Sequence, residues 1–193
     1  MLMLDLFSGL GGASRAMRER GWDVITVDND PAFRPSVVAD LTDWSYSGPV
    51  PDLVWASPPC IEFSKWSMPA SWRCNAGGKV PPDLTLMQAT KRIIDEILPR
   101  WWVVENVRGA VPFFTECFGP ARKVIGSRYL WGYFPPFYCP SIYGKSALFP
   151  VPGVDRSACR SLIPREISVA LAAAVEAWSA PRCPDPDWWP PSS

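Results

Sequence analysis

The chain has 193 residues, 48% hydrophobic and 20% charged. At that length folding buries roughly 65–70% of the unfolded chain's surface, which excludes disorder as the main state. Lysine plus arginine and aspartate plus glutamate both number 19, so any basic face must be local. Histidine is absent, which removes imidazole general bases, Ser/His/Asp triads and every metal site that needs a His ligand.

Met1 to Leu6 reads as a buried strand that breaks at Ser8-Gly9-Leu10-Gly11-Gly12. Ala13 to Arg20 then has helical composition, with Gly21 as its stop. Trp22 to Val27 is a second strand ending in Asp28, and Asp52 to Ala56 another, ending in Ser57-Pro58-Pro59-Cys60. Ile61 to Pro82 lacks periodicity and reads as a long loop in which Lys65, Trp66, Trp72, Arg73 and Lys79 mix cationic and aromatic groups. Asp83 is the expected N-cap of a helix through Leu98, and a strand follows at Trp101 to Val104, ending in Glu105-Asn106. A strand is placed near Arg128 to Tyr133 and a helix at Ile167 to Trp178. Residues 181–193 are Pro-rich and read as an extended or disordered tail.

Strands alternating with helices predict an α/β fold with a doubly wound, mostly parallel sheet, formed by one domain over 1–180. The six cysteines are widely spaced with no CxxC pair, so reduced thiols in a cytoplasm are expected, with no membrane span and no metal.

The glycines after the first strand allow close backbone approach to a ligand, and the helix start behind them offers free N–H groups. Asp28 falls near the offset at which a doubly wound fold places a carboxylate on ribose hydroxyls, which together favours a nucleoside-containing cofactor. Cys60 and Glu105 follow two further strands. Three functional side chains are thereby expected at one edge of the sheet.

Asp5-Leu6-Phe7-Ser8-Gly9-Leu10-Gly11-Gly12, then Pro59-Cys60 with Phe63-Ser64, then Glu105-Asn106-Val107, resembles the first, fourth and sixth motifs of the cytosine-C5 DNA methyltransferase family. The resemblance covers residues 1–134 well and 160–178 more loosely. It implies a Rossmann-like S-adenosylmethionine-dependent fold, release of S-adenosylhomocysteine, and DNA with a flipped cytosine as partner. It places Phe7, Gly9, Leu10 and Gly11 in the cofactor pocket, with Asp5, Ser8, Asn29 and Pro59 beside them, Asp28 on the ribose, and Asp40 and Leu41 on the adenine. Cys60 would attack cytosine C6, Glu105 would bind the N3 and N4 edge, and Arg128 would supply the eighth-motif arginine. Ser64, Lys65, Asn106 and Val107 would face the substrate.

Asp28 stands where the family usually has Glu, and Asn29 where an aromatic commonly follows. A working Cys60 must ionise; without His, arginines, helix ends or the substrate must favour the thiolate. Only residues 133–160 are available for target recognition, implying a short or relaxed sequence context or a specificity partner chain. The readings weighed against DNA methylation are an RNA cytosine-C5 methyltransferase and a catalytically idle partner subunit, with N4 methylation ranked lower. The setting implied is the cytoplasm of a prokaryotic or phage-infected cell.

Overall fold

The computed structural model describes residues 1–67, 81–139 and 162–179. Seven strands form one sheet: β1 (Leu2–Leu6), β2 (Asp23–Asp28), β3 (Val37–Val38), β4 (Leu53–Ala56), β5 (Trp101–Val107), β6 (Lys123–Ile125) and β7 (Arg128–Tyr133). Their order is β3-β2-β1-β4-β5-β7-β6. The pairs from β3 to β5 are parallel, and β7 runs antiparallel to both β5 and β6. This is the doubly wound, mostly parallel Rossmann-like sheet read from the sequence.

Alternation along the central strands builds two cores, because successive side chains leave opposite faces. Met3, Leu53, Trp55 and Val103 pack on one face with α1 (Arg15–Glu19) and the C-terminal helix α5 (Arg165–Ser179). Leu4, Leu6, Val54, Ala56 and Val104 pack on the other with α2 (Ile61–Ser67), α3 (Thr85–Ile97) and α4 (Val111–Phe118). The buried Ser168 Oγ donates to the Ala13 carbonyl at 2.6 Å and accepts from Ala16 N at 3.2 Å, pinning α5 to the start of α1.

The structure corrects several local expectations. Ile61 to Ser67 is helical rather than loop, because Phe63 supplies a buried anchor against Phe113 and Phe114. The N-cap of α3 is Leu84; Asp83 stands one residue earlier and accepts from Thr85 N at 2.9 Å and Thr85 Oγ1 at 2.7 Å. β5 continues to Val107, so Glu105 and Asn106 lie within the strand, held by pairing with β7. Strand β3 had no counterpart in the sequence reading, which gave helix α4 and strand β6 no bounds. Residues 134–139 carry no regular element, and the rest of the expected recognition insert and the tail lie outside the described residues. Among the described residues no helix is long and apolar enough to cross a membrane.

Candidate active site

The strand order reverses direction beside β1, and the crevice outside the carboxyl ends of β1 and β4 is where such sheets bind ligands. The chain leaves β1 through Phe7, whose φ of 57° is left-handed, a conformation that costs energy for a residue with a side chain. Gly9 and Gly11 follow with φ of 48° and 71°, and Gly11 N closes the turn on the Ser8 carbonyl at 2.8 Å. Gly9 N donates to Asp28 Oδ2 at 2.8 Å, so the end of β2 holds the glycine turn. Asp28 Oδ1 accepts from Asp30 N at 3.0 Å.

A cavity of about 60 Å³ opens beneath this turn, lined among others by Asp5, Phe7, Ser8, Gly9, Ser57 and Ile163. That is small beside typical ligand pockets of roughly 300–1,000 Å³, so the enclosed part can take only one end of a larger ligand. Asp5 is 1% exposed and its Oδ2 has no hydrogen-bond partner. Burial pushes its carboxyl up to about 7, against the pull of Ser14 and Arg18. An orphaned buried acceptor in a cavity calls for a donor from a ligand, and the ammonium of S-adenosylmethionine is such a donor. The cavity, the open face above Gly9 and the Asp28 carboxylate therefore fit that cofactor. Asn29 and Asp40 are exposed, Leu41 is buried, and Asp40 Oδ1 accepts from Thr42 N at 2.9 Å.

One strand further, the functional groups at the ends of β4 and β5 converge. Cys60 precedes α2, and its carbonyl accepts from Ser64 N at 2.8 Å. Pro59 beside it is exposed. Glu105 is buried, and burial pushes its carboxyl up to about 7, while the Arg128 charge and the Ser57 hydroxyl pull it down. Arg128 enters from β7 with Nε 3.7 Å from Glu105 Oε1 and Nη2 donating to the Leu162 carbonyl at 2.8 Å. The Cys60 thiol is pushed up by burial and then by the Glu105 charge, despite the opposing hydrogen bond from Ser64 and the charge of Arg128. In the ligand-free chain burial and a neighbouring carboxylate outweigh the one arginine at Cys60, which leaves the substrate, among the three expected sources, to favour the thiolate.

Asn106 is placed differently from the substrate-facing reading. It is 1% exposed, its Nδ2 donates to the Pro58 carbonyl at 2.9 Å, and its Oδ1 accepts from Val107 N at 2.9 Å. It braces the turn that presents Cys60. Val107 is half-buried at the end of β5, and Lys65 is exposed with Nζ 3.9 Å from Glu62. Trp72, Arg73 and Lys79 lie outside the described residues.

Ser57, Leu162 and Ile163 join the lining of the cavity, the last two from the segment before α5. The contribution of Arg92 escaped the sequence reading. Arg92 of α3 donates through Nη2 to the carbonyls of Leu41, Thr42 and Trp44 at 3.2, 3.2 and 2.8 Å, fixing the stretch beside Asp40. These depend on contacts between distant segments, and an isolated arginine carries no local signal for them.

No family model matches the chain. Over 118 residues it is 35% identical to "Probable DNA (cytosine-5)-methyltransferase" of Frog virus 3 (isolate Goorha), a match covering 55% of this chain and 53% of that protein. The chain thus spans about half the length of this curated relative. The resemblance to cytosine-C5 methyltransferases read from the three motifs is borne out by that relative. Among solved structures it is similar to the Entamoeba histolytica methyltransferase EhMeth, at 16% identity and a TM-score of 0.45, over 71% of this chain and 54% of that one. It is also similar to the S. pombe Dnmt2 methyltransferase, at 18% identity and a TM-score of 0.40, over 62% and 38%. The fold assignment rests on the strand order and the reversed β7.

Proposed function

We propose that the chain transfers a methyl group from S-adenosylmethionine to C5 of cytosine in DNA through a covalent Cys60 adduct. The observation that carries this reading is the meeting of a cysteine, a buried carboxyl raised to about 7 and an arginine at the sheet edge, one strand from a glycine-lined cavity.

When bound, the cofactor supplies an electrophilic methyl group. Asp5 receives a donor at the closed end of the cavity, Asp28 holds hydroxyls at the end of β2, and the glycine turn lets the backbone approach. The Cys60 thiolate adds to C6 of a flipped cytosine while Glu105 gives its proton to N3, so the electron pair at C5 becomes nucleophilic. After transfer the C5 proton leaves to a base, its electron pair expels Cys60, and the N3 proton returns to Glu105. Arg128 offers the positive charge that steadies Glu105 between its two states. Because the resting thiol is disfavoured as thiolate, substrate binding must bring part of the activation.

A single catalytic domain over 1–180 with a short insert at 133–160 fits a context of a few bases, or a partner chain that reads the sequence. Affinity would then come mostly from phosphate contacts and fall steeply with salt.

Incubation with S-adenosylmethionine and a DNA duplex carrying 5-fluorocytosine, or the matching RNA, tests the reading, since after methyl transfer the fluorine at C5 cannot leave as the proton does and the adduct stays covalent. A DNA adduct absent from Cys60→Ser is expected. An adduct on RNA alone would move the substrate class, adduct formation only with an added protein would favour a partner requirement, and no adduct on either polymer with or without partner would overturn the proposal. Bisulfite sequencing of DNA from expressing cells would report the flanking context.

A further inference from the structure

We propose that Trp55 and Ser57 form a directional hydrogen-bond relay that holds Glu105 ready to release and regain its proton, which makes both of them positioning residues. The inference rests on the function proposed above and concerns the same site.

Trp55 is 1% exposed on β4, and its Nε1 donates to Ser57 Oγ at 2.7 Å. The parallel register pairs Trp55 with Val103 and Ala56 with Val104, so the next positions, Ser57 and Glu105, are neighbours on the same face as Trp55. The Ser57 hydroxyl there helps to pull the Glu105 carboxyl down against burial. Its backbone is fixed independently, with Ser57 N on the Leu6 carbonyl at 3.3 Å.

The direction of the relay follows from the chemistry of its members. An indole N–H only donates, so Ser57 Oγ accepts from Trp55 and turns its single proton toward Glu105. The Glu105 oxygen on that side is kept as an acceptor, which opposes the protonation that burial favours. The other charged or titratable groups facing Glu105 are Arg128 from β7 and the Cys60 thiol ahead of α2. Arg128 Nε has no hydrogen-bond partner and stands off at 3.7 Å, so the Ser57 hydroxyl is the donor left to aim a proton at the carboxyl. A carboxyl held between two protonation states can give a proton to N3 and take it back; one locked in its acid form takes the proton back readily but gives it up less readily.

Trp55 and Ser57 also line the glycine-turn cavity, so the relay spans the two halves of the site. A ligand in the cavity therefore touches the groups that steer Glu105.

The test is a carboxyl-carbon NMR titration of the ligand-free full chain labelled on glutamate, with the Glu105 signal assigned by its loss in Glu105→Gln. The parent midpoint should lie near 7. Ser57→Ala should raise it by about one pH unit, the scale of a lost hydrogen bond to an ionised group. Ser57→Thr should keep the parent midpoint, and Trp55→Phe should give a smaller rise in the same direction. An unchanged midpoint in Ser57→Ala, or a Ser57→Thr shift as large as that of Ser57→Ala, would overturn the relay. An unchanged midpoint in Trp55→Phe would remove the directional part. The titration needs no substrate, so a chain that titrates as expected yet forms no 5-fluorocytosine adduct overturns the proposed function and leaves the relay standing. In turnover, the alkaline limb of the Ser57→Ala pH profile should move upward with the midpoint, a displacement that simple loss of folded protein would not produce.

Discussion

Arg128 faces Glu105 across the β5–β7 pair, with Nε 3.7 Å from Oε1, while its Nη2 is anchored on the Leu162 carbonyl at 2.8 Å. One side chain from the reversed strand thus ties the carboxyl at the end of β5 to the segment that closes the cavity. The guanidinium is too distant for a hydrogen bond to Glu105, so its pull is electrostatic and leaves burial dominant.

That balance predicts a pH-dependent stability. Glu105 has an ordinary value of 4.5 and is raised to about 7 in the folded chain. Its contribution is therefore fully present below 4.5 and is lost as pH rises through 7. On the order of 3 kcal/mol is at stake for such a shift, as an upper bound. Urea unfolding of the parent and Glu105→Gln at pH 5 and pH 8 checks it: the parent should lose more stability over that interval, and equal losses would show that Glu105 is ionised throughout.

Cys60 should respond to the same substitution. The Glu105 charge helps to push the thiol up, so Glu105→Gln should lower it and speed alkylation of Cys60 at pH 8 by roughly threefold. Mass spectrometry of the Cys60 peptide after a timed iodoacetamide pulse reads the rate. A rate unchanged or slower in the variant would mean that burial alone sets the thiol.

Asp28 holds the glycine turn through Gly9 N and, in the proposed function, the cofactor's hydroxyls. Asp28→Ala should weaken S-adenosylhomocysteine binding by about 1–3 kcal/mol, the scale of lost charge-assisted hydrogen bonds. Calorimetry measures it directly, and an affinity equal to the parent's would take Asp28 out of the pocket.

Gly12 is demanded by a close approach rather than by its own backbone. A Cβ there would lie 2.7 Å from Ile163 N and Leu162 Cδ1 and 2.8 Å from the Ile163 carbonyl. Gly12→Ala should cost about 1–3 kcal/mol, as overpacking does, and should loosen the wall shared with Arg128. A thermal melt that superimposes on the parent's would show that the segment before α5 yields freely.

The residues themselves determined the parallel α/β sheet, through alternating apolar strands and helices, and the chemistry of its edge, through the glycine turn after β1, Pro59-Cys60 after β4 and Glu105-Asn106 on β5. Such signals are local: periodicity, glycine and proline act on the segment that carries them. Helix α2 was hidden because its sequence has only one buried apolar anchor, Phe63, and tertiary contact with α4 stabilises what propensity does not announce. The extension of β5 to Val107 was likewise decided by pairing with β7. The balance of charge around Cys60, the bracing role of Asn106 and the meeting of Trp55, Ser57 and Glu105 belonged wholly to the tertiary structure. A pKa or a hydrogen bond depends on burial and on partners far away in the chain, and only the folded sheet puts residues 55, 105, 128 and 162 around one site.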